Sequence, residues 1–261
     1  SKLNVDAVVE VLRSDWITQG EMIEQFERAV AEYCQAEYAV AVSSATAGLH
    51  LASLVAGVGP GCDLITSPLT FVASANIAFY SGAQAYFSDI DPRTYNLCPT
   101  GLQQSLDEGR LGETPAVLVP VHFAGQSCDM ESLAEIAKGS GMRIIEDASH
   151  AMGGSWVDRE GRERRIGSCS HSDMAVFSFH PAKHITTGEG GVVLTNDVEH
   201  YQALSSLRNH GITKDPDKID TSVGPWFYEM QSLGYNYRIT DFQCALGMSQ
   251  LKKLDSWILR R

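Results

Sequence analysis

The sequence predicts an α/β fold, a mostly parallel sheet flanked by helices, and three observations carry that expectation. Short apolar runs rich in β-branched and aromatic residues recur along the chain, and helical spacing fills the gaps between most of them. With 261 residues, 44% hydrophobic and 20% charged, the chain can bury a large core without disulfide or metal staples.

Taken in order, helical periodicity covers Val5–Leu12 and then Met22, Phe26, Ala29, Val30 and Tyr33. Strands follow at Tyr38–Val42, Leu64–Thr66, Ala85–Phe87, Ala116–Val121 and Met142–Ile145. Between them lie helical patterns at Thr46–Val58, Phe71–Tyr80, Leu102–Leu106 and Met130–Lys138, the rhythm of βαβ units. The runs Met174–Phe179 and Val192–Thr195 are spaced by a loop rather than a helix, so the late strands are expected close together as a hairpin. Helix returns at Val198–Arg208, and the polar stretch Thr213–Val223 reads as an exposed loop. A last helix spans Thr240–Leu254 with Thr240 as its N-cap. With no repeat, low-complexity segment or linker, the chain reads as one large domain.

Twenty Lys and Arg against 32 Asp and Glu give a net charge of −12, which disfavours nucleic acid and anionic membranes as partners. The longest apolar stretches are interrupted well before membrane-spanning length, and no secretory leader pattern stands at the start, so a cytoplasmic protein is expected. Six cysteines, at 34, 62, 98, 128, 169 and 244, form no C-x-x-C pair and read as reduced, mostly buried thiols. Gly57-Val58-Gly59-Pro60-Gly61 lacks dinucleotide-loop spacing and reads as a turn. His180 and His184 have zinc-helix spacing, but Pro181 breaks the helix and no accompanying glutamate exists, so no metal is expected. There is no G-x-S-x-G elbow for a serine hydrolase.

Three segments converge on another chemistry. In Ile144-Ile145-Glu146-Asp147-Ala148-Ser149-His150 an apolar strand delivers an acidic pair to its C-terminal end, the ligand edge of such sheets, with Asp147 facing the site. In Phe177-Ser178-Phe179-His180-Pro181-Ala182-Lys183 a strand runs into a hydroxyl and a lysine, near Thr186, Thr187, Gly188, Gly190 and Gly191. In Val40-Ala41-Val42-Ser43-Ser44-Ala45-Thr46 a strand turns into a helix whose first N–H groups and hydroxyls can cradle an anion. Pyridoxal phosphate needs all three: an amine for its aldehyde, a carboxylate for its ring nitrogen and a helix N-terminus for its phosphate.

On these motifs the sequence resembles the DegT-type sugar-nucleotide aminotransferases, a branch of the fold-type I pyridoxal phosphate enzymes, over nearly its whole length. The resemblance implies that Lys183 holds the cofactor covalently, Asp147 partners the pyridine nitrogen, and His150 neighbours the cofactor hydroxyl. It assigns phosphate binding to Ser178, Ala45 and Thr46, and ring stacking to Phe71 in P-L-T-F-V-A-S-A-N, where core packing is the alternative. Gly234-Tyr235-Asn236-Tyr237-Arg238-Ile239-Thr240-Asp241 resembles a segment that reaches a second subunit's cofactor, which implies a homodimer with Asn236 and Arg238 acting across the interface. His150, His122-Phe123-Ala124-Gly125-Gln126 and Lys183 to Gly191 most resemble the branch of pseudaminic acid biosynthesis. Glu21 after Thr18-Gln19-Gly20 departs from the family's usual proline. Residues 1–254 are expected to form the cofactor-binding large domain, and residues 255–261 to open a C-terminal small domain that is largely absent.

The reaction so implied passes an amino group from L-glutamate to C4 of a UDP-linked 4-keto-6-deoxy-N-acetylhexosamine, ping-pong through pyridoxamine phosphate. Other nucleotide-sugar aminotransferases, on dTDP- or GDP-ketosugars, are the alternative, as is a non-enzymatic sensor using the same pocket. A dehydratase of the same fold would carry histidine in place of Lys183.

Overall fold

The computed structural model describes residues 2–112, 115–215, 217–220, 224 and 226–261. Helices α1 (Lys2–Leu12) and α2 (Glu21–Cys34) lead into strand β1 (Tyr38–Val42). Then come α3 (Ala45–Val55), β2 (Asp63–Thr66), α4 (Ala73–Tyr80), β3 (Ala85–Phe87), α5 (Pro99–Asp107), β4 (Pro115–Val119), a 3-10 turn at Phe123–Gly125, α6 (Met130–Gly139) and β5 (Arg143–Asp147). A two-stranded ribbon, β6 (Ser155–Val157) with β7 (Glu163–Arg165), precedes β8 (Met174–Ser178), β9 (Gly191–Thr195) and α7 (Val198–Arg208). A second ribbon, β10 (Ile212–Thr213) with β11 (Glu229–Met230), is followed by α8 (Asp241–Leu251) and α9 (Leu254–Ile258).

Seven strands form one sheet in the order β1-β9-β8-β5-β4-β2-β3. Strand β9 runs antiparallel to both its neighbours, while the pairings from β8 through β5, β4 and β2 to β3 are parallel. The expected β8–β9 hairpin is therefore present, and its connection carries Lys183. Every parallel strand ends at the same sheet edge, where β9 begins, so one line collects the chain after Val42, Thr66, Val119, Asp147 and Ser178 together with Gly191.

Alternation along the strands sorts the core into faces. Val40, Val42, Leu64, Val117, Val119, Ile145, Met174, Val176 and Val193 pack against α3, α4 and α7 through Leu49, Leu51, Ile77 and Leu204. On the other face Ala39, Ala41, Phe177, Val192 and Leu194 meet Phe26 and Val30 of α2 and Cys244 of α8. Further along that face Ile65, Leu118 and Ile144 meet Leu102, Met130 and Leu133 of α5 and α6. Counting by twos from Ile145 and Val176 places Asp147 and Ser178 on the face that α3 and α4 cover.

Some boundaries differ from expectation. The helix predicted to reach Val58 stops at Val55, before Gly57 turns into the left-handed region at φ +89°. The helix predicted over Thr240–Leu254 divides at Lys252 and Lys253 into α8 and α9. Thr213, expected in a loop, pairs with Glu229. Residues 216 and 221–223 of that predicted loop lie outside the described residues. Cys34, Cys128, Cys169 and Cys244 are buried thiols, Cys98 is half-buried and Cys62 is exposed. Among the described residues no helix is long and apolar enough to cross a membrane.

Candidate active site

Asp147 ends β5 with 4% of its surface exposed. A buried carboxylate needs hydrogen-bond donors, and it has them: Oδ2 accepts from Ser74 Oγ at 2.5 Å and Oδ1 from Ser149 N–H at 3.1 Å. Ser74 lies in the first turn of α4, and its hydroxyl is 2.7 Å from Thr70 Oγ1, so a short hydroxyl chain orients the carboxylate and leaves each oxygen a further lone pair. Glu146, one residue earlier, faces the opposite side of the sheet. Its Oε2 pairs with His122 Nε2 at 2.7 Å, while His122 Nδ1 accepts from Cys128 N–H at 3.0 Å. The acidic pair therefore divides into one structural and one site-facing carboxylate.

Lys183 sits half-buried in the β8–β9 connection, where its N–H donates to His180 O at 2.9 Å. Burial pushes its amine below the usual lysine range, opposed by the Asp147 carboxylate. Burial and then the Lys183 ammonium push the His150 imidazole down, again against Asp147. Lys183, Asp147 and His150 thus form one electrostatic cluster. The connection is held by Thr186 Oγ1 and Thr187 N–H, both donating to Phe179 O, and by Gln250, which receives from Thr186 N–H and donates to Thr186 O.

Beside the cluster stands the start of α3. Ser44 caps it by accepting from Ala47 N–H at 3.1 Å, and among the described residues no acceptor faces the N–H groups of Ala45 and Thr46. A helix N-terminus with free N–H groups attracts an anion. Gly191 lets β9 approach: a β-carbon there would stand 2.6 Å from Ala45 N. Ser178, 8% exposed and paired with Gly191, accepts from His180 N–H at 3.3 Å and keeps its own O–H to donate. Phe71 is 68% exposed just before α4, so the core-packing alternative does not hold.

Asn236 and Arg238 lie apart from this cluster. Asn236 is exposed and bridges to Asn209, and Arg238 Nη1 donates to Asn209 Oδ1 at 2.9 Å. Their segment still touches the site's framework, because Tyr237 O accepts from Ser43 N–H at 2.8 Å. Sequence reasoning missed Ser74 and Tyr237; Ser74 lies in P-L-T-F-V-A-S-A-N, one turn after Phe71, but only the fold brings it to Asp147.

This sheet, with a lysine, a buried aspartate and an open helix start at one edge, is the large-domain architecture of the fold-type I pyridoxal phosphate transferases. The chain belongs to the DegT/DnrJ/EryC1/StrS aminotransferase family, whose pattern matches residues 1–261, and pyridoxal phosphate is the cofactor of that family. It is 41% identical over 260 residues to the spore coat polysaccharide biosynthesis protein SpsC of Bacillus subtilis, covering 100% of this chain and 64% of that protein. It is 37% identical over 258 residues to a UDP-4-amino-4,6-dideoxy-N-acetyl-beta-L-altrosamine transaminase of Campylobacter jejuni, covering 99% of this chain and 64% of the relative. Among solved structures, Helicobacter pylori PseC, an aminotransferase involved in pseudoaminic acid biosynthesis, superposes with a TM-score of 0.85 at 33% identity, covering 98% of this chain and 64% of that one. The chain thus spans a little under two thirds of the length of these relatives.

Proposed function

We propose that the protein is a pyridoxal phosphate-dependent aminotransferase that passes an amino group from L-glutamate to C4 of a UDP-linked 4-keto-6-deoxy-N-acetylhexosamine. The observation that supports it most is the meeting of Lys183, buried Asp147 and the open first turn of α3 at one sheet edge. The residues fit the cofactor: among the described residues the N–H groups of Ala45 and Thr46 have no acceptor, Ser178 keeps a donor, and Asp147 keeps lone pairs beyond those that Ser74 and Ser149 use. The names of the Campylobacter and Helicobacter relatives support the sugar class and its place in pseudaminic acid biosynthesis.

When bound, the cofactor supplies an aldehyde for amine exchange and a conjugated ring that takes up electrons released at the substrate carbon. Asp147 holds a proton on the ring nitrogen, and Ser74 and Ser149 N–H keep its carboxylate in place. Lys183 would hold the cofactor and, with its amine free, would move a proton at Nζ as general acid and base. Burial keeps a larger share of its amine neutral than an exposed lysine would have. Ala45, Thr46 and Ser178 would hold the phosphate, Phe71 would lie against the ring, and His150 would neighbour its hydroxyl. Donor and acceptor use this site in turn, giving ping-pong kinetics. Residues 1–254 serve as the cofactor-binding domain, 255–261 open a smaller one, and the enzyme works in the cytoplasm as a homodimer whose Asn236 and Arg238 reach the partner's cofactor.

The test is the absorbance spectrum of the full-length protein with added pyridoxal phosphate. A cofactor band that shifts on adding glutamate and reverts on adding the UDP-ketosugar is expected. A band that glutamate leaves unmoved would point to a sensor, and reversion only with dTDP- or GDP-ketosugars would reassign the acceptor.

A further inference from the structure

Tyr237 grips α3 from both of its own ends. Its carbonyl accepts from Ser43 N–H at 2.8 Å, just ahead of the helix, and its hydroxyl lies 3.1 Å from His50 Nδ1. His50 stands about a turn and a half beyond Ala45, so the two contacts bracket the turn that carries the N–H groups of Ala45 and Thr46.

Both partners are fixed. Tyr235 N–H donates to Leu207 O at 2.7 Å, Tyr237 N–H to Arg208 O at 3.1 Å, and His210 N–H to Tyr235 O at 2.9 Å. Gly234 crosses Gly211 so closely that a β-carbon on it would stand 2.1 Å from Gly211 N. The Tyr235 and Tyr237 rings stack at 5.1 Å. His50, 5% exposed, is wedged edge-on against Tyr80 at 5.6 Å and Tyr235 at 4.9 Å. Its Nε2 is buried with no partner among the described residues, which leaves the Tyr237 hydroxyl as the ring's one polar restraint.

We propose that Tyr237 and His50 are positioning residues for phosphate: together they hold the first turn of α3 in register with the sheet edge, so that the cradle is preformed before an anion arrives. A preformed cradle binds without first ordering its donors. The same contact ties the segment of Asn236 and Arg238 to that cradle. The inference rests on the cofactor reading above, and phosphate recognition is the part of it that the pair controls.

The test compares two ligands, pyridoxal phosphate and pyridoxal, on the full-length protein by their bound absorbance. Tyr237→Phe keeps the ring and the backbone contact and removes only the hydroxyl. Its dissociation constant for pyridoxal phosphate should rise about three- to tenfold, the loss expected for one buried hydrogen bond. Its affinity for pyridoxal, which has no phosphate, should match the parent's. His50→Phe should give the same selective loss, and the double variant should lose no more than either alone, because both remove one contact. Should Tyr237→Phe fail to fold, His50→Phe carries the same comparison. Unchanged affinity for pyridoxal phosphate, or equal losses for both ligands, would overturn the positioning role while the cofactor reading stands. A parent that binds neither ligand overturns both.

Discussion

The Asp147 carboxylate acts on the Lys183 amine, and this makes a two-sided prediction. The carboxylate raises the Lys183 pKa against burial, which lowers it. In Asp147→Asn that opposing charge is gone, so the amine should lose its proton at lower pH than in the parent. The midpoint of the pH dependence of pyridoxal attachment at Lys183, followed by borohydride trapping and mass spectrometry, should therefore move down. Turnover should fall as well, by about 10²-fold or more, because a neutral amide does not hold a proton on the ring nitrogen as a carboxylate does. A variant that attaches pyridoxal with the parent's pH midpoint and keeps the parent's turnover would remove Asp147 from both roles. Both residues were legible in the sequence because a strand end delivers each to the sheet edge, a local pattern. Ser74 and Tyr237 were not, since 73 residues separate Ser74 from Asp147 and 187 separate His50 from Tyr237, and no spacing rule spans such gaps.

Long elements with a regular apolar period were readable, and short polar ones were not. The ribbon β6–β7 escaped notice because Glu163–Arg165 has no apolar alternation; it is held by backbone pairing and by the buried Asp158, which accepts from Arg162 and Arg164 side chains. The motif His122-Phe123-Ala124-Gly125-Gln126 marked the family, yet in the fold the His122 ring joins Glu146 of β5 to the Cys128 N–H ahead of α6. Asp241 shows the same gap between motif and mechanism. Standing at the first position of α8, and 1% exposed, it accepts from Gly20 N–H at 2.9 Å and Met22 N–H at 3.1 Å, thereby capping α2 from another helix. That cap serves the α2 start at Glu21, where proline is usual in the family. Asp241→Ala removes the acceptor from two half-buried N–H groups at the start of α2, so chemical denaturation should report a loss of about 0.5–2 kcal/mol. Asp241→Asn, which keeps one acceptor oxygen, should lose less. Equal stability of all three proteins would remove the joint.

At the scale of the whole molecule, the exposed apolar side chains bear on assembly. Phe71, Phe79 and Tyr80 around α4, and Trp226, Met230 and Leu233 in and around β11, are all more than half exposed. Tyr80 and Tyr235 both pack on His50, so these two regions adjoin. An apolar surface beside the cofactor edge is what a shared-site dimer requires. Asn236, bridged to Asn209, and Arg238, bonded to it, would then complete the partner's site. A mixing experiment separates this arrangement from a dimer of independent sites. Lys183→Ala and a variant with Asn236→Ala and Arg238→Ala should each be inactive alone. In a two-fold dimer that shares its sites, random exchange makes about half the dimers mixed, and each mixed dimer rebuilds one intact site from Lys183 of one chain and Asn236 and Arg238 of the other, so activity should return to about a quarter of the parent's. If both residues served their own chain, no exchange could place Lys183 and Asn236 in one site, and the mixture would remain inactive.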